Sequence, residues 1–238
     1  MIYFPHIIVF LLGISVASFL NCFAYRLHRK KSIRGRSFCD HCKHPLSAKD
    51  LVPLFSYLFM RGKCRYCKEK VSVEHFFFEL GTGVLFLLFY TSEITLLPYF
   101  LFTAALLSFV FIYDLRHFVI PDVANYLLIF SAFAYVLYMG RLDAILAAGG
   151  ALLFFLLLYK GKWIDFSEVK FVVFMGLFLG FPHILVGLFL SFLIGAIMGV
   201  VIVKGIKGAV PFAPFLVAGT VIAHLFGEKI ISLYFSMI

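Results

Sequence analysis

Long apolar runs separated by brief polar ones dominate the chain. They lie at roughly residues 4–25, 75–91, 96–113, 120–138, 143–159, 168–181, 183–203 and 211–235. A bilayer core is about 30 Å thick and a helix rises about 1.5 Å per residue, so about 20 apolar residues cross it. The pattern therefore predicts an all-α polytopic membrane protein of about eight transmembrane helices. The sixth run is short and interrupted by Gly176. None of the runs shows the period-two alternation of a membrane barrel. No Lys or Arg precedes the first run and no small-x-small pattern ends it. It therefore reads as a span and not a cleaved signal. The sequence shows no internal repeat, low-complexity tract or heptad seam.

Composition agrees with this pattern. Hydrophobic residues make up 63% of the chain and charged ones 14%, against about 25% charged in soluble domains. An ordinary soluble globule and a disordered chain are both excluded. The 32 Phe residues are most simply lipid-facing and packing bulk.

Charge adds sidedness. Residues 26–74 hold 13 Lys and Arg against Asp40, Asp50, Glu69 and Glu74, which accounts for the whole net charge of +9. The positive-inside rule makes this segment a cytoplasmic insert and puts the N-terminus outside. With eight spans, Arg116, Lys160, Lys162, Lys170, Lys204 and Lys207 also fall inside, and only Arg141 and Lys229 fall outside. The chain thus divides into a first membrane helix (1–25), the insert (26–74) and a helical membrane domain (75–238).

The insert carries Cys39, Cys42, Cys64 and Cys67 as two CxxC pairs separated by 21 residues. That spacing suits a structural tetrathiolate Zn²⁺ site. Two disulfides are the alternative, which a reducing cytoplasmic face opposes. His41 and His44 are substitute ligands, although four thiolates already complete the shell. A small polar loop with little core gains a staple from the metal. The insert's positive charge fits anionic lipid headgroups better than nucleic acid, because its aromatic residues show no stacking pattern. Cys22, inside an apolar run, is a packed thiol.

Ionisable residues at membrane depth are functional candidates. Glu93, Asp143 and Glu228 fall near outside connections and read as solvated, whereas Glu79 lies one turn into the second span. Asp114, Asp122, Asp165 and Glu168 all fall at the inner boundary. Asp122, just after Pro121, also suits a helix N-terminus. Two carboxyl groups brought together there share a proton. One can then take a proton from water while the other polarises a carbonyl, which is aspartyl peptidase chemistry. Acids at helix ends are also common as plain caps.

Several stretches together resemble the prepilin peptidase family of membrane aspartyl peptidases. Gly13, Ser18, Phe19, Leu20 and Asn21, followed by Tyr25, Arg26 and Leu27, are similar to the family's G-x-x-x-x-S-F-L-N and Y-R-L opening. The paired cysteines match, with Arg61, Gly62 and Lys63 before Cys64. So do Ser72 to Leu80 with Glu79, Asp114 with Ile120, Pro121 and Asp122, and Pro211, Phe212, Ala213 and Pro214. The resemblance implies cleavage of the basic leader of type IV prepilins or pseudopilins at the cytoplasmic face of the bacterial inner membrane. Asp114 would be one catalytic carboxylate. It also implies methylation of the new N-terminus from S-adenosylmethionine, with Gly62 and Lys63 associated with that activity. Gly62 and Lys63 equally suit a turn before the knuckle, and no glycine-rich fingerprint marks a cofactor site.

One stretch departs from the family. The second catalytic Asp belongs to G-x-G-D-V-K, and here Asp165, Phe166, Ser167, Glu168, Val169 and Lys170 stand in its place. Val169 and Lys170 fix the register, so Glu168 is the positional equivalent, and both glycines are gone. Three readings follow: an active Asp114–Glu168 pair, a pair using Asp165, or an impaired member, natural or engineered, that binds prepilins without cleaving. A transporter with a zinc-stapled lobe is the reading from another class, but it lacks inverted repeats and midplane charges.

Overall fold

The computed structural model describes residues 4–32, 34–90, 95–203 and 211–237. Glu93, Lys204 and Lys207 lie outside the described residues. The described residues are all-helical: α1 (Phe4–His28), α2 (Phe55–Phe59), α3 (Glu74–Tyr90), α4 (Leu97–His117), α5 (Asp122–Met139), α6 (Leu142–Lys160), α7 (Phe166–Leu179), α8 (His183–Val203) and α9 (Ala213–Ser236). Six of these are long and apolar enough to cross a membrane: α1, α4, α5, α6, α8 and α9. The expected second and sixth spans are helical, as α3 and α7, but only 17 and 14 residues long. Their apolar runs mark packing as well as span length. The chain forms two compact units, Met1–Ile112 and Tyr113–Ile238.

In the first unit, α3 packs along α1. In the second, α7 packs on α5 and α6 and also meets α8 and α9, and α8 pairs with α9. Nine of the 14 residues of α7 are buried. This enclosure explains how so short an apolar helix is held, since its apolar surface meets protein on most sides. Gly176 permits the closest approach, because a Cβ there would collide with the backbone of Ala148 on α6. Small residues let membrane helices pack closely in this way.

Candidate active site and metal centre

In the insert, all four cysteine sulfurs lie within 4.8 Å of one another. Cys39 Sγ and Cys67 Sγ are 3.9 Å apart. Sulfurs about 2.3 Å from one tetrahedral ion stand roughly 3.8 Å from each other, far beyond the length of about 2.05 Å in a disulfide. All the cysteines are free thiols, and the donor set fits Zn²⁺. His44 packs against Tyr66 with ring centroids 3.7 Å apart and is outside the ligand set, as is His41.

The two knuckles are one device used twice. The N–H of Cys39 donates to the His44 carbonyl at 3.0 Å and that of Cys64 to the Glu69 carbonyl at 2.8 Å. Lys43 and Lys68 both take positive φ, and the bridges Phe38–Pro45 and Lys63–Lys70 flank the loops. The repeated unit is short, and the two copies share little beyond the cysteines and the lysine that follows each pair. The backbone N–H of Cys67 draws the Cys64 thiol down to about 7 against the opposing effect of burial.

Asp50 ties the insert together. Its carboxylate accepts from Ser47 N–H (3.0 Å), Ser47 Oγ (2.7 Å) and Tyr66 Oη (3.2 Å), and pairs with Arg65 Nε at 2.8 Å. Arg65 and Tyr66 lie between the two cysteines of the second knuckle, so Asp50 fixes that knuckle from behind. Burial raises its pKa, but these partners outweigh it and hold the carboxyl below its ordinary value. Such outer partners commonly orient metal ligands.

Gly62 has φ +64°, and a Cβ there would stand 2.8 Å from Tyr57 Oη. Its N–H donates to the Tyr57 carbonyl and its own carbonyl accepts from Val71. The position is a tight turn packed against an aromatic ring, and Lys63 is exposed beside it. Glu79, buried on α3, accepts from Leu54 N–H at 2.8 Å and bonds Ser18 of α1.

Three acids of the second unit lie near one another. Asp114, in the last turn of α4, is 4% exposed. Its Oδ2 accepts from the Ala213 N–H at 3.1 Å, at the start of α9. The first N–H groups of a helix lack intrahelical partners and carry its positive dipole end, so they favour an anion. The Pro211, Phe212, Ala213 and Pro214 stretch thus delivers a backbone donor to a carboxylate. Asp114, Asp165 and Glu168 lie near enough to feel one another's charge.

Asp165 caps α7, and Glu168 Oε2 reaches back to accept from the Asp165 N–H at 3.1 Å. This returning arm of a capping box engages one of two carboxylate oxygens. Asp165 occupies the first absent glycine position at φ −85° and ψ 155°, an extended conformation open to any L-residue. Ser167, at the second, is helical with no positive φ. Neither position needs the conformational freedom of the glycine it lacks.

Two straps hold the start of α7 against α5. Asn125 Nδ2 donates to the Ser167 carbonyl at 2.9 Å, and Lys170 Nζ pairs with Asp122 Oδ1 at 2.6 Å. Lys170 also lies 5.0 Å from the Tyr126 ring centre. On each helix the two straps use positions three apart, and on α7 these bracket Glu168. Asp122 therefore does more than begin a helix. Asn125, wholly buried, was missed by sequence reasoning. Its signal was an amide three residues after Asp122, inside an apolar run. At the far end, Asp143 is not merely solvated, since it pairs with Arg141 at 3.0 Å. Glu228 stands 3.3 Å from His183 Nε2.

Comparison with known proteins places this chain in a family. Residues 11–92 match the model described as "Bacterial Peptidase A24 N-terminal domain", and residues 100–200 match "Type IV leader peptidase family". The chain is 31% identical over 245 aligned positions to the "Prepilin leader peptidase/N-methyltransferase" of Bacillus subtilis, covering 97% of this chain and 98% of that one. A protein of the same name from Legionella pneumophila is also 31% identical, with 98% and 95% covered. One from Aeromonas hydrophila is 28% identical, with 95% and 92% covered. No solved structure matches. Similarity of this extent along nearly the whole length settles the relationship: the chain belongs to the type IV leader peptidase family.

Proposed function

We propose that the protein cleaves the basic leader of a type IV prepilin or pseudopilin with Asp114 and Glu168 as its two carboxylates. The observation that carries this reading is the placement of a buried Asp114 on the first N–H of α9, within charge range of Glu168. One carboxylate, ionised, takes a proton from water as the oxygen attacks the carbonyl carbon of the leader's last residue, a Gly in the family's substrates. The other, protonated, donates to the carbonyl oxygen. Collapse of the tetrahedral intermediate breaks the C–N bond, and the proton taken from water passes to the leaving amine.

The extra methylene of Glu168 allows its return to the Asp165 N–H, so the carboxylate is held by its own helix end. Asn125 and Asp122 act as positioning residues, because they fix the backbone from which Glu168 projects. The four cysteines hold a structural Zn²⁺ that staples the insert. Orientation follows the charge distribution, with insert and carboxylates on the cytoplasmic side. N-methylation of the product is carried over from the relatives' names, and no residue of this chain is assigned to that step.

The test is cleavage of a prepilin bearing a Gly-terminated leader by membranes containing the protein. The unmodified chain should cleave, and Glu168→Asp should be about 10- to 100-fold slower, as displacements near 1 Å commonly are. No cleavage by the unmodified chain, with activity gained on Glu168→Asp, would show that the capping arm disables the site. That second reading rests on the 3.1 Å bond from the Asp165 N–H to Glu168.

A further inference from the structure

Among the described residues, the most exposed large apolar side chain is Phe59, at 85%. It lies in the insert and not on a long apolar helix. Phe55, Leu58 and Phe59 occupy neighbouring positions on α2, and all three are exposed, as are Leu51 and Val52 just before them. No residue of α2 is buried. A patch of this kind on an extramembrane loop calls for a partner.

Depth identifies that partner. Leu54, at the start of α2, is bonded through its N–H to Glu79, and Glu79 is bonded to Ser18 of α1. The helix α1 continues from Ser18 to His28, a further rise of about 15 Å. Its full 25 residues measure about 37 Å, which exceeds a hydrocarbon core by only about 7 Å. Even if all the excess emerges at this end, Ser18 stays inside the apolar layer. Leu54, tied to Ser18 through one glutamate side chain, therefore lies no higher than the interface, and α2 starts there.

Charge agrees with depth. From Leu51 to Lys68 there is no acid, and Arg61, Lys63, Arg65 and Lys68 are basic. Arg65 is engaged by Asp50, which leaves Arg61 and Lys63 beside the apolar face. Anionic headgroups complement such an edge, whereas a basic leader peptide does not.

We infer that Leu51, Val52, Phe55, Leu58 and Phe59 form an interfacial anchor. It seats among the acyl chains of the leaflet on the insert's side, with anionic phospholipid headgroups against Arg61 and Lys63. The anchor holds the insert flat on the membrane and aside from the path of a basic leader. It rests on the membrane reading of α1 and is independent of peptidase activity.

Trp163 is the single tryptophan, so the full-length Trp163→Phe, Phe59→Trp protein carries one reporter. Reconstitution into bilayers with bromine on the acyl chains should at least halve its emission and shift it to the blue. Brominated phosphatidylglycerol should quench more than brominated phosphatidylcholine in mixed bilayers. Leu58→Trp on the same Trp163→Phe background serves as a second reporter, and zinc content shows that the insert of each is folded. Unquenched, water-like emission in a zinc-loaded protein would overturn the anchor. Equal quenching by the two lipids would overturn its headgroup component. Emission that responds only to an added prepilin peptide would assign the face to substrate and overturn the lipid proposal.

Discussion

Two aspartates of nearly equal burial show how differently the two units treat a carboxylate. Asp50 in the insert is 7% exposed and Asp114 in the second unit 4%. Asp50 receives three hydrogen bonds and an ion pair from Ser47, Tyr66 and Arg65. Among the described residues, Asp114 receives one hydrogen bond, from a backbone amide, and its charged neighbours are acids. Burial alone does not mark a reactive group. An acid saturated by donors is fixed as a structural anion, whereas one left with a single donor beside other acids keeps lone pairs and proton occupancy available for chemistry.

The sharpest challenge to the comparison is Asp114→Asn. Removing a general acid–base carboxylate should lower cleavage by about 100- to 10,000-fold, while zinc content and protease resistance of the insert stay as they were. A variant that cleaves normally would make Asp114 as structural as Asp50. Next in size is Asn125→Asp, which keeps the shape and loses the donor to Ser167. It should lower kcat by about 10- to 100-fold with KM nearly unchanged, if a small shift of Glu168 is what it causes. Asn125→Gln should recover part of the rate, and an unmoved pH profile in Asn125→Asp would deny it a positioning role.

Asp50→Asn should act on the insert alone, destabilising it by about 1–3 kcal/mol with cleavage little changed. That figure is kept low because Arg65 is half-exposed and its pairing is screened. The effect carries a sign in pH. Because the folded form of Asp50 titrates below its ordinary value of about 4, its contribution is complete above that value and is lost as pH falls through the lower folded one. The stability gap between the wild type and Asp50→Asn, followed by proteolysis of residues 26–74, should therefore close in acid. A gap that widened on acidification would contradict the assignment of Asp50 as a bound anion.

Much of this was legible in the chain. Hydrophobic runs located the helices, and two CxxC pairs located the four-cysteine cluster, because both signals are local in sequence. Helix length was less legible. The run at α7 belongs to a helix with nine of its 14 residues buried, and a helix enclosed by protein needs apolar residues just as a lipid-facing one does. The partners of Asp114 and Glu168 escaped for a different reason. The donors are main-chain N–H groups of Ala213 and Asp165, and every residue but proline offers one. The role of Asp50 was hidden among the insert's four acids, since only the turn from Ser47 to Asp50 and the second knuckle bring its partners together.

The shortness of α7 has a consequence for lipid composition. Arg141, at the start of α6, donates to the Leu179 carbonyl at the end of α7 at 3.0 Å, so these two helix ends are level. From there α6 runs 19 residues, about 28 Å, and α7 only 14 residues, about 21 Å. The Glu168 end of α7 consequently stops about 7 Å short of the plane that α6 reaches. On the proposed reading the acids would then sit in a recess below the headgroups, to which water and the scissile peptide would have to descend. Thicker bilayers deepen that recess and thinner ones open it, so turnover should depend on acyl-chain length, with the membrane setting the height of the entrance.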